Sequence, residues 1–183
     1  MERNMLKKVV TAALIAAASA ASANAAVIYA SDVVSANQKG FVAPARSNTA
    51  SALGEADGKF YSLGFGGSIV LSFSTAVRGF GTVTEVTNLP RDTYVESAIF
   101  SVSMDGVSWT TLGEYSNQVS SLYSASPFLY LKVVDTSPVI AGHGRDGYDI
   151  DSIGFAPVPV PAAGLLLIGG LAGLGIMKRR KSA

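Results

Sequence analysis

Between residues 26 and 157 the apolar side chains tend to recur at every second position, in short runs separated by Gly, Ser, Asn, Asp and Pro. A period of two puts alternate side chains on opposite faces of an extended strand, whereas an amphipathic helix needs a period near 3.6. Seven runs carry the pattern: Val27–Val34, Ser68–Phe73, Gly79–Val86, Ala98–Met104, Ser108–Leu112, Phe128–Val134 and Tyr148–Phe155. Many short strands with turn residues between them predict an all-β, antiparallel sandwich. The sharpest local element is "FSVSMDGVSWTTL", Phe100–Leu112. Its Asp105-Gly106 dipeptide between alternating runs predicts a type I′ hairpin turn, because both residues tolerate positive φ. Residues 35–59 are rich in Ala, Ser, Asn and Gly without a period, and predict a long surface loop.

The 132 residues of this stretch are enough for one domain with its own core. The whole chain has a formal net charge of +1. Residues 26–157 alone carry seven basic and twelve acidic side chains, a net charge of −5. An acidic domain without a basic stripe argues against nucleic acid as a partner. There is no cysteine, which excludes disulfides, thiol catalysis and cysteine-ligated zinc.

The two ends have a different composition. Arg3, Lys7 and Lys8 precede an apolar run from Val9 to about Ala21, followed by Ala23-Asn24-Ala25. A basic start, a short apolar stretch and small residues at the A-x-A positions predict a signal peptide over 1–25, cleaved after Ala25. At the other end, residues 162–177 hold no charge and no proline, and Lys178-Arg179-Arg180-Lys181 follows. At about 1.5 Å per residue, an apolar run of this length predicts a short transmembrane helix whose basic stop lies on the cytoplasmic side. The chain is thus divided into 1–25, 26–157 and 158–183.

Val158-Pro159-Val160-Pro161-Ala162, the glycine-rich span and the basic end resemble the VPLPA-CTERM sorting signal of the PEP-CTERM class. Val160 stands where leucine is usual. Members of that class are substrates of exosortases, membrane transpeptidases of Gram-negative bacteria. The resemblance implies export, transient anchoring in the inner membrane and delivery to the cell surface or extracellular matrix. Gly164, Gly169, Gly170, Gly173 and Gly175 suit a temporary anchor, since they reduce apolar area and let another helix approach closely.

Three stretches of the domain resemble a bacterial surface-protein pattern: "ALGEADGKFYSLGFGGSIVLSFS" (Ala52–Ser74), "VESAIFSVSMDGVSWTTLGEY" (Val95–Tyr115) and "DGYDIDSIGF" (Asp146–Phe155). The second also resembles discoidin-type, galactose-binding-like domains, which implies a jelly-roll-like sandwich. No nucleophile elbow, zinc-protease helix or phosphate-cradling loop occurs. The single histidine, His143, is flanked by glycines, a poor setting for a triad that must be held rigid. The expectation is a non-catalytic surface or matrix protein; the alternative is a module that recognises extracellular polysaccharide. In the alternative, Trp109 and the tyrosines would stack on sugar rings, against the simpler role of Trp109 packing across the hairpin.

Calcium is the one cofactor to weigh. Asp149 and Asp151 lie at i and i+2 of a predicted strand and share a face with Ile153 and Phe155. Either they supply carboxylates to a structural Ca²⁺, joined by Asp57 and Asp135, or they cap loop amides or face solvent. Galactose-binding-like domains often hold such an ion, so the resemblance implies one here.

Overall fold

The computed structural model describes residues 26–86, 94–116, 118–139 and 146–157. The signal segment, the sorting motif, the apolar span with its basic stop, and His143 lie outside them. No helix among the described residues is long and apolar enough to cross a membrane.

The domain is an antiparallel β-sandwich. Its strands are β1 (Ile28–Asn37), β2 (Tyr61–Ser62), β3 (Ser68–Glu85), β4 (Ala98–Ser103), β5 (Thr110–Tyr115), β6 (Val119–Asp135) and β7 (Asp149–Pro157). Hydrogen bonding runs in the order β2-β7-β1-β3-β6-β4-β5, with a further β7–β3 pairing. β3 and β6 are long enough to serve both leaves. Ser68–Ser72 of β3 pairs with Val134–Tyr130 of β6, and β1 and β4–β5 extend that leaf. After register shifts around Val77, residues Gly79–Thr84 pair with Ser124–Val119 on one side and with β7 on the other. Such irregularities bend a strand and raise its twist, and here they turn one continuous ladder into two facing leaves.

The core lies between the leaves. Phe73, Phe128 and Phe155 meet edge-to-face with centroids 5.6, 5.9 and 4.9 Å apart, the arrangement that ring quadrupoles favour. Phe155 lies directly over Gly81: a Cβ built there would stand 2.5 Å from the ring, so only glycine fits. Phe100 makes similar contacts with Tyr115 and Tyr148.

Three expectations need correction. The runs Ser68–Phe73 and Gly79–Val86 are halves of one strand, because the bulge interrupts the alternation without ending the pairing. The 35–59 segment keeps strand structure to Asn37 and contains two 3₁₀ turns, Pro44–Arg46 and Thr49–Ala52, the second capped by the Asn48 side chain. The Asp105-Gly106 turn is not type I′. No non-glycine residue among the described ones has positive φ, and six residues separate Ser103 from Thr110. Asp105 instead accepts from the Val107 and Ser108 amides, at 2.8 Å each, and from the Ser103 hydroxyl. These bonds hold its carboxyl well below the usual carboxylate range and order the wider loop.

Candidate functional site

The outward face of the second leaf is built from rows set by register. Along β3, Val83 and Glu85 turn inward while Phe80 and Thr82 face out. Along β6, Leu122 is buried while Ser121 and Tyr123 are exposed. Phe80 pairs with Tyr123, Thr82 with Ser121, and Thr84 with Val119. β7 adds Gly154 beside Thr82 and Ser152 beside Thr84, and β1 adds Tyr29 beside Gly154. The Tyr29 ring lies across Gly154, 2.8 Å from where a Cβ would stand.

These rows form a recess of about 360 Å³ whose lining includes Tyr29, Phe80, Thr82, Thr84, Ser121 and Ser152. Its described lining holds no charged side chain. Phe80 lines it, and its ring meets that of Tyr123 with centroids 4.9 Å apart and an interplanar angle of 48°. The two side chains are 72% and 53% exposed. Tyr123 also borders a second recess of about 420 Å³ under the β4–β5 hairpin, lined by Met104, Ser108, Thr110 and Ser124–Phe128 among others. Asp105 is the one charged residue among its described lining.

Trp109, the sugar contact expected from the sequence, lines neither recess. The Lys132 ammonium sits 4.5 Å over its ring centroid, so a cation–π contact occupies one face. The packing role therefore describes Trp109 better. Sequence reasoning included Tyr123 only within the tyrosines as a group and missed Phe80. The signal for Phe80 was present, since alternation in Gly79–Val86 puts it with Thr82 and Thr84 and opposite Val83. Nothing singled Tyr123 out among the tyrosines, because the first half of β6 was not recognised as strand.

The four aspartates weighed as calcium ligands do not converge. Asp151 accepts from the Asp57 and Gly58 amides, both at 3.0 Å, and so caps the 57–58 loop. Asp57 turns to Lys59, 2.8 Å away. Asp135 accepts from the Gly66 and Tyr148 amides, each at 2.8 Å, and from the Ser137 hydroxyl. Asp149 lies 4.0 Å from Arg46, which pairs with Asp146. Among the described residues no three acidic or histidine side chains have metal-ligating geometry.

Asp149 and Asp135 belong instead to a buried acidic group with Glu85 and Glu96, all four at most 5% exposed. Burial, then the charges of Asp149 and Glu85, push Glu96 up to about 9. Burial raises Asp149 to about 7 against the pull of Ser62 and Arg46. Burial and the charge of Glu96 take Tyr94 to about 12. Perturbed carboxyls often mark catalytic sites. None of the four buried carboxyls, however, is among the described lining of either recess.

No protein-family model matches this sequence, and no curated protein matches it. Solved structures do. A chain in the crystal structure of reduced XRCC1 bound to the DNA polymerase beta catalytic domain aligns with TM-score 0.53 and 13% identity, over 73% of this chain and 100% of that one. At that identity the likeness shows the fold alone. The C-terminal domain of a chitobiase from Bacteroides fragilis scores 0.49 with 16% identity, over 70% of this chain and 94% of that one. A pectin-binding carbohydrate-binding module scores 0.47 with 14% identity, over 71% and 94%.

Proposed function

We propose that this chain is an exported, non-catalytic surface protein whose β-domain binds extracellular polysaccharide on the outer face of β3, β6 and β7. The observation that carries the reading is the exposed Phe80–Tyr123 pair beside a recess lined by hydroxyls. Leaving a large apolar side chain in water forgoes about 1.5–3 kcal/mol of burial. A sugar ring offers the matching chemistry, with an apolar C–H face for the aromatics and hydroxyls for Thr82, Thr84 and Ser121. A purely structural matrix protein has no need of this surface, and for that reason the binding reading takes precedence over the structural one. The predicted signal segment and the Val158–Ala162 motif support export and exosortase processing, with the inner membrane as a transient station. They supply the route, and the β-domain supplies the activity.

Affinity electrophoresis of the purified chain in gels containing dissolved polysaccharides tests the reading. Phe80→Ala and Tyr123→Ala should each weaken retardation at least about tenfold, about 1.4 kcal/mol. Trp109→Ala should leave it unchanged, because Lys132 already covers that ring. Retardation lost in Trp109→Ala and kept in Phe80→Ala would move the site to the hairpin.

A further inference from the structure

The two recesses are neighbours, and the aromatic pair is what separates them. Phe80 and Ser121 line the first, Tyr123 and Ser124 line the second, and the Phe80 and Tyr123 rings are in contact. A ligand stacked on this ridge therefore has a recess on either side, of about 360 and 420 Å³. Cross-strand pairing makes the arrangement rigid, because Phe80 and Tyr123 are directly opposed in the ladder and both strands are anchored inward by Val83 and Leu122.

Charge narrows the class of ligand. The basic side chains among the described residues are Lys39, Arg46, Lys59, Arg78 and Lys132, and none of them lines either recess. Arg46 and Lys59 line a separate recess and are paired with Asp146 and Asp57. Lys132 is stacked on Trp109. Asp105, the acidic member of the second recess, spends its Oδ1 on the Ser103 hydroxyl and two loop amides. A carboxylated or sulfated polymer laid here would lose hydration at each anion without a cation in the described lining of either recess to replace it, against a domain whose own net charge is −5.

We infer that the surface takes an internal stretch of an uncharged polysaccharide chain, running from the Thr82–Ser121 recess over the Phe80–Tyr123 ridge into the recess under the β4–β5 hairpin. The inference rests on the carbohydrate-binding reading and adds to it the charge class of the polymer and the way the chain is held. A terminal sugar would fill one recess and leave the other empty; a continuous chain uses both and the ridge between them.

The test uses the purified full-length chain. Dextran, a galactan and a β-glucan serve as uncharged probes, and alginate and polygalacturonate as acidic ones. At least one uncharged polymer should retard the protein and the acidic ones should not. Oligosaccharides of two to six units from the retarding polymer should bind more tightly with length, at least tenfold from two to six by calorimetry. Ala125→Trp fills the hairpin recess and Thr82→Trp the other, both at exposed positions. Each should abolish the gain with length, and an unchanged melting temperature would show that the fold is intact. Retardation by an acidic polymer alone, saturation by the monosaccharide, or a length dependence that survives both tryptophans overturns this inference while leaving carbohydrate binding in place. Retardation by no polymer of either kind removes the carbohydrate-binding reading itself.

Discussion

Removing the Asp151 carboxylate should destabilise the domain without touching the proposed binding surface. Asp151 is 3% exposed, and its two oxygens accept separately from the Asp57 and Gly58 amides at 3.0 Å. A hydrogen bond to a charged group contributes about 1.5–3 kcal/mol net. Residues 57 and 58 are exposed, so their amides recover part of that from water once the carboxylate is gone. Asp151→Ala should therefore cost about 2–4 kcal/mol, toward the lower end of two such bonds. Asp151→Asn keeps one acceptor but turns an N–H₂ toward the second amide, so it should cost about half as much or somewhat more. Urea unfolding followed by tryptophan fluorescence measures both, with the slope unchanged if the compactness of either state is unaltered. The same series in calcium and in EDTA separates capping from metal binding. An ion present at 100 times its dissociation constant would add about 2.7 kcal/mol. A cost below about 0.5 kcal/mol for Asp151→Ala, or a calcium stabilisation that Asp151→Asn abolishes, refutes the capping argument.

Phe155 is fully buried and makes edge-to-face contacts with Phe73 and Phe128, so Phe155→Ala should cost about 3–5 kcal/mol in the same unfolding assay; less than about 1.5 would mean that the leaves do not pack as described. Glu96 ionises near 4.5 in an unfolded chain and is pushed up to about 9 here, so its own contribution to stability is full below pH 4.5 and declines as pH rises toward 9, where the folded protein finally releases the proton. Glu96→Gln should flatten melting temperature against pH between 6 and 9, and an unchanged slope would locate the proton elsewhere. Pro159→Ala with Pro161→Ala lifts the backbone restriction that two prolines impose, and the double variant should accumulate as a larger, membrane-bound species in immunoblots of fractionated cells. Wild-type protein that retains Lys178–Lys181 permanently would replace sorting with a plain anchor.

The strand class was legible because a period of two is a local property: each run shows its two faces without reference to any partner. Ser68–Phe73 and Gly79–Val86 could be recognised as extended while their continuity could not, since a bulge is a relation between two strands and leaves little trace in either one. The missed half of β6, Val119–Pro127, mixes four serines with Leu122, Tyr123 and Ala125 and has too few apolar residues to stand out. Its pairing with β3 makes it a strand and puts Tyr123 against Phe80. Asp149 and Asp151 were correctly seen to share strand surface with core residues, but the partners of Asp151 lie 94 and 93 residues away in sequence.

From the amino-acid order alone came the all-β class, the absence of disulfides, the acidic domain and the expectation of export, because composition and short-range period carry all four. Tertiary structure decided what the surface presents. Register set Phe80 beside Tyr123, Lys132 came to rest on Trp109, and Asp151 was committed to a distant loop. Each is a contact between segments far apart in the chain. Its formation depends on where bulges shift the ladder by a residue, a choice made by the packing of the whole sandwich.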